Sequence, residues 1–214
     1  ATDSVFSVDV VATDVAGQTA TKSVQFKVFA PTVEYTDSPD VLGTVTVSAN
    51  NEVIALKDGN DVVSDFSGSG QHARIFAGNG NDTLIVNDLE HVQVYGEKGD
   101  DTIKIVSSGS AHSAYVDGGE GDDTIEYEYN GGEFKEYELF GNDGNDVFII
   151  NTLGLGNENE IDGGEGIDTL AFNSGFEDVR IDTANGTEIN SVEVIDADHV
   201  DGEANNIEIR YNLS

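Results

Sequence analysis

Six aspartates, Asp61, Asp82, Asp101, Asp123, Asp146 and Asp168, each stand sixth in a short Gly-rich segment. The segments read LKDGNDVVS from Leu56, AGNGNDTLI from Ala77, GEKGDDTIK from Gly96, GGEGDDTIE from Gly118, GNDGNDVFI from Gly141 and GGEGIDTLA from Gly163. Glycines permit the positive φ angles that aim backbone carbonyls at one point. The aspartate adds a carboxylate, and the apolar eighth residue anchors a strand in the core. An all-oxygen set suits a hard cation, and Ca²⁺ takes roughly six to eight oxygens flexibly. Successive segments start 21, 19, 22, 23 and 22 residues apart, and a decayed copy, TANGTEINS, begins 20 residues later at Thr183. A period near 21 makes these turns stack. Neighbouring turns in a parallel stack lie ~4.8 Å apart, so one ion can be shared between two loops. Without cations, carboxylates stacked ~5 Å apart cost several kcal/mol at an effective dielectric near 20. Metal binding is therefore expected to be coupled to folding.

The elements that carry these turns are legible as two apolar columns. One is the eighth position: Val63, Leu84, Ile103, Ile125, Phe148 and Leu170. The other lies two residues before each segment: Ile54, Ile75, Val94, Val116, Leu139, Ile161 and Ile181. Side chains alternate faces at period 2 in a strand, so each column is the inward file of one strand per repeat. Each period then holds a Gly-rich turn, a strand, a variable turn and a second strand. Internal repeats of this kind predict an all-β, right-handed parallel β-roll or β-solenoid with ~21-residue coils. Residues 45–174 are assigned to the roll, 31–44 (with Pro31, Pro39 and Gly43) to a linker, and 175–214 to a C-terminal cap that hides an open edge. Residues 1–30 differ. They read as two alternating strands around an Asp14–Gln18 turn.

Composition narrows the function classes. Lys and Arg number 9 against 42 Asp and Glu, a net charge of −33. A phosphate backbone needs a basic face, so nucleic acid is excluded as a partner, and anionic membrane surfaces with it. Val, Ile, Leu and Phe make up about 27% of the chain, above the ~20% below which acidic chains stay disordered. The 25 glycines and 2 prolines fit a turn-dense fold. There is no Cys, so a metal is the available staple. There is no Met either, the initiator included, which points to a processed chain or an excised piece. No apolar run approaches the ~18 residues of a membrane-spanning helix, and no signal peptide is visible.

Over roughly residues 50–190 the Gly-rich segments resemble the repeats-in-toxin (RTX) family of secreted calcium-binding β-rolls. Units at Gly118, Gly141 and Gly163 satisfy the G-G-x-G-x-D pattern or nearly so, and those at Ala77 and Gly96 miss one glycine. The resemblance implies carbonyl donors at positions one and three of one loop and two and four of the next, with the aspartate of each. Carried over, these are Ala77, Gly78, Asn79, Gly80, Gly96, Glu97, Lys98 and Gly99. Gly118, Gly119, Glu120, Gly121, Gly141, Asn142, Asp143 and Gly144 come next, then Gly163, Gly164, Glu165 and Gly166. Leu56–Gly59 departs from the pattern, and only Asp61 is carried over there. Family rolls of the usual type place ions on both edges. Here a second segment without the motif alternates with each nonapeptide, so calcium is expected along one edge only.

The N-terminal strands, 1–30, resemble the closing hairpin of bacterial immunoglobulin-like or cadherin-like repeats, as the tail of a truncated domain or as an N-terminal cap on the first coil. Together with the roll, they imply the layout of type I-secreted adhesins. That layout implies a non-enzymatic calcium-binding support module, outside or on the surface of a Gram-negative bacterium, with acidity suited to a marine or saline habitat. Its partners would be calcium ions and a glycan or other host or biofilm surface ligand, without membrane insertion. The alternatives are the same roll appended to a secreted enzyme, such as a lipase, protease or epimerase, and a glycan-binding module.

Other constellations are weaker. His72, His91 and His112 lie five or six residues before segments and can stack on the variable edge, but zinc is set aside in favour of solvated loop histidines. Tyr115, Tyr127, Tyr129 and Tyr137 cluster in sequence and can form a sugar platform, but such tyrosines are more often strand residues packing on the sheet. Thr83, Thr102, Thr124 and Thr169 align as one interrupted file, short of the regular arrays that ice binding needs.

Overall fold

A computed structural model describes residues 4–13, 19–28, 33–108, 113–130, 136–151, 154–155, 159–172, 178–182, 187–196 and 206–210. The chain divides into two units, 1–32 and 33–214. In the first, β1 (Ser4–Thr13) pairs antiparallel with β2 (Thr19–Val28) in unbroken register from Ser4↔Val28 to Thr13↔Thr19. The two expected strands are there; the Asp14–Gln18 turn lies outside the described residues.

The second unit is a parallel β-solenoid, all-β, with no helix among the described residues. Val- and Ile-rich runs with alternating burial make two eight-stranded sheets. The first contains β4 (Val41–Val47), β6 (Val62–Gly68), β8 (Thr83–Asn87), β10 (Thr102–Ser107), β12 (Thr124–Tyr129), β14 (Val147–Asn151), β17 (Thr169–Phe172) and β20 (Val194–Asp196). The second contains β3 (Val33–Glu34), β5 (Val53–Asp58), β7 (Arg74–Asn79), β9 (Val92–Lys98), β11 (Ala114–Glu120), β13 (Tyr137–Asp143), β16 (Glu160–Glu165) and β19 (Glu188–Asn190). Chain order alternates between the sheets, so every neighbour within a sheet is one coil away. A separate three-stranded sheet joins β15 (Gly154–Leu155), β18 (Asp178–Asp182) and β21 (Asn206–Arg210).

Register follows the repeat. Ile54, Ile75, Val94, Val116, Leu139 and Ile161 pair in succession in the second sheet. Val63, Leu84, Ile103, Ile125, Phe148 and Leu170 do so in the first. All twelve are fully or almost fully buried. A further inward file, Phe66, Val86, Ile105, Tyr127, Ile150 and Phe172, widens the core of the first sheet. Each such side chain contributes about 1.5–3 kcal/mol on burial.

Three sequence expectations need correction. Residues 33–44 are not a linker: β3 and β4 begin the two sheets, and Leu42 pairs with Val63 in the core file. Residues 188–196 do not stand apart as a cap, because β19 and β20 continue the sheets under β16 and β17. Ile181 does not continue the second-sheet file. It lies in β18, and Ile189 pairs with Ile161 instead. The turn between β19 and β20 is Ser191–Glu193, three residues opposite the six of Gly163–Asp168, so the motif is not repeated there.

Candidate functional site

The Gly-rich segments all connect a second-sheet strand to the next first-sheet strand, so they stack along one edge of the solenoid. Positions one, six and eight face inward there. Each aspartate is therefore drawn inside the edge, where Asp61, Asp82, Asp101, Asp123, Asp146 and Asp168 are at most 1% exposed. Position four is glycine in all six coils and adopts φ between +123° and +147°. A Cβ at Gly80, Gly99, Gly121, Gly144 or Gly166 would strike the carbonyl of the corresponding glycine one coil earlier.

The aspartates form a ladder. Asp82 Oδ1 accepts from the Asp61 N–H at 2.6 Å, Asp101 from Asp82 at 2.7 Å, Asp123 from Asp101 at 2.7 Å, Asp146 from Asp123 at 2.8 Å and Asp168 from Asp146 at 2.7 Å. Two residues missed in the sequence extend it. Asp61 Oδ1 accepts from the N–H of Asp40, and Glu193 accepts from the N–H of Asp168. Asp40 stands 21 residues before Asp61, a spacing that was the available signal. A second ladder, also missed, runs the opposite way at position five. The side-chain oxygens of Asn60, Asn81, Asp100, Asp122 and Asn145 each accept from the position-five N–H of the following coil.

The other aspartate oxygen is the unusual group. Oδ2 of all six is buried with no hydrogen-bond partner. At Gly96, Gly118, Gly141 and Gly163 a Cβ would collide with that oxygen of the same segment, so the first glycine forms its cradle. Leu56 and Ala77 put side chains there instead. Burial raises the carboxyl pKa of every member, most in the middle of the file. Asp82 and Asp146 are pushed up to about 6, Asp101 to about 7 and Asp123 to about 8. The backbone N–H bonds oppose this rise, and the neighbouring aspartate charges add to it. A buried acceptor without a partner calls for a proton or a cation.

The residues present fit a hard cation in part. Among the described residues no three His, Asp or Glu side chains converge as a metal site, so a cation at this edge must also draw on backbone carbonyls. The position-three carbonyls of Asn79, Lys98, Glu120, Asp143 and Glu165 each accept from the position-four N–H of the preceding coil. A carbonyl oxygen has two lone pairs, and one remains. Positions two and four hold the positive φ angles that turn the chain here, including Lys57, Glu97 and Asn142, which are not glycine.

The remaining candidates separate. His72 and His91 stack on the variable edge with centroids 4.7 Å apart, while His112 lies outside the described residues. The four tyrosines do not form one platform. Tyr127 and Tyr137 are core residues with rings 4.5 Å apart, Tyr129 packs on the core, and Tyr115 alone lies on the outer face of the second sheet. The threonines form one outward row, interrupted by Val147.

No family model matches this chain, and neither a curated protein nor a solved structure matches it.

Proposed function

We propose that this chain is a non-enzymatic calcium-binding structural module of a larger secreted or cell-surface bacterial protein, its solenoid folding as Ca²⁺ enters the motif edge. The observation that carries this reading is the file of six buried Oδ2 atoms without partners beside the glycine cradles. Calcium supplies what that file lacks: divalent charge, tolerance of irregular oxygen geometry and a preference for carboxylate with carbonyl. The aspartates would give carboxylate oxygens, and the carbonyls of positions one to four in adjacent loops would complete the sets. Low cytosolic calcium would leave the chain unfolded for export, and millimolar calcium outside would fold it. Support and spacing for adhesion is the role this suits.

Calcium titration followed by far-UV circular dichroism and thermal melting, with a chelator control, tests the proposal. The expected result is strand signal and a rising melting temperature at millimolar calcium. A chain equally folded and equally stable in chelator would overturn it.

A further inference from the structure

The outer face of the second sheet carries side chains left unused by the proposed calcium sites, which draw on backbone carbonyls and the position-six carboxylates. Val94, Val116 and Leu139 turn inward, so Tyr95, Asp117 and Phe140 turn outward in one row across the coils. The rings of Phe76, Tyr95, Tyr115 and Phe140 run as a stripe over four coils, with centroids 4.8, 5.6 and 5.3 Å apart. Tyr115 comes from the adjacent row and leans over Asp117, to which its hydroxyl donates at 3.4 Å.

Between this stripe and the motif edge lies a groove of about 400 Å³. Tyr95 and Gly119 line it, with Glu97 and Asn142 paired to Gly119 from one coil either side. Asp117 also lines it, held by Asn142 Nδ2 donating to its Oδ1 at 2.8 Å. Four carboxylates line the groove, those of Glu97, Asp117, Glu120 and Asp143. The single cation among the lining residues, Lys98, is already held by Glu120 at 2.6 Å. Across the stripe a second hollow of about 210 Å³ presents Glu136 and Glu138 beside Gln93.

We propose that this face docks an extended basic segment of a partner protein, with an arginine guanidinium seated in the groove against Glu97, Asp117 and the ring of Tyr95. Charge complementarity selects the ligand: the lining repels anions, and it offers carboxylates where a planar fork of five donors can be met. Guanidinium is also more weakly hydrated than an ammonium, so it leaves water for a carboxylate-lined groove more readily. A segment crossing the stripe along the strand direction reaches carboxylates in both hollows.

The test is isothermal titration of the full chain, in millimolar calcium and moderate salt, with the peptide Gly-Arg-Gly-Arg-Gly. A citrulline version and a neutral oligosaccharide serve as comparison ligands. Binding of the arginine peptide is expected to weaken about tenfold or more in Glu97→Gly and in Asp117→Asn. It should be unchanged in Asp37→Asn, which removes a charge distant in sequence from the groove. Glu97→Gly places glycine at a positive φ, so its melting temperature should not fall, and lost binding then reports the lost side chain. Equal weakening in all three variants would reduce the effect to diffuse attraction by an acidic chain. That outcome, equal affinity for the citrulline peptide, absent binding, or sugar binding in place of peptide binding would each overturn the proposal.

Discussion

At the scale of single residues, the chemistry turns on which oxygen of each aspartate is engaged. Oδ1 is held by a backbone N–H one coil away, and Oδ2 has no partner. With folded-state pKa values raised as far as about 8 for Asp123, the folded chain binds more protons than the unfolded chain from roughly pH 4 upward. Stability in chelator is therefore expected to be greatest near pH 4 and to fall as pH rises from there, the loss being complete once pH passes the raised values of about 6 for Asp82 and Asp146, about 7 for Asp101 and about 8 for Asp123. Calcium competes with those protons, so saturating calcium should flatten the profile. Melting curves against pH with and without the ion read this directly, and a chelated chain that gains stability toward pH 8 would contradict it. Glu97 makes a second case. It holds φ +74° where Gly119 and Gly164 occupy the same position in other coils. Left-handed backbone costs an L residue about 1–2 kcal/mol, partly offset by the chain entropy that glycine loses. Glu97→Gly should thus stabilise by about 0.5–1 kcal/mol in a denaturant titration. The six aspartates were legible from spacing alone. Their pairing was not, because a ladder depends on which oxygen meets which N–H, and sequence carries no such geometry.

At the scale of elements, strand files and turn glycines make separable contributions. Ile125 sits between Ile103 and Phe148 in the first-sheet file, almost wholly buried. Ile125→Ala leaves a cavity that a stack pinned on both sides cannot close, so a loss of about 2–5 kcal/mol is expected in denaturant unfolding. Gly121 has no cavity to lose, yet its φ is +133° and a Cβ there strikes the Gly99 carbonyl. Gly121→Ala should cost about 1–3 kcal/mol through backbone strain, and calcium should not recover it. Both apolar files were readable because burial at period 2 leaves a direct mark on residue type. The first coil was not, since its turn contains Ser38 and Pro39 in place of the glycines. Asp40 nevertheless completes the ladder through its N–H, while the N–H and hydroxyl of Thr36 both donate to its Oδ2 at 3.0 Å. The last coil misled for the opposite reason: Ile181 satisfies the apolar pattern but pairs outside both main sheets. The closing strands β19 and β20 have three residues each, and a short edge limits pairing with other chains.

At the scale of the whole molecule, a net charge of −33 must be reconciled with stacked coils. Two populations of carboxylate contribute. Position five and the outer rows face solvent, where ionic strength screens them; the Debye length falls to ~3 Å in 1 M salt. The position-six file is at most 1% exposed, and bulk salt reaches it poorly. Monovalent and divalent cations should therefore act differently. If the decisive repulsion lies in the buried file, about 1 M sodium chloride in chelator will raise the melting temperature only modestly, while millimolar calcium at low ionic strength restores the fold. If the outer rows decide, sodium chloride will serve as well as calcium, and magnesium as well as either. Magnesium also separates site binding from screening. It demands nearly octahedral geometry at short distances, which irregular carbonyls supply poorly, and so should stabilise less than calcium at equal concentration. A melting series in chelator with sodium chloride, magnesium and calcium in turn thus locates the repulsion that this solenoid must overcome, and equal midpoints for the two divalent ions would place it on the surface.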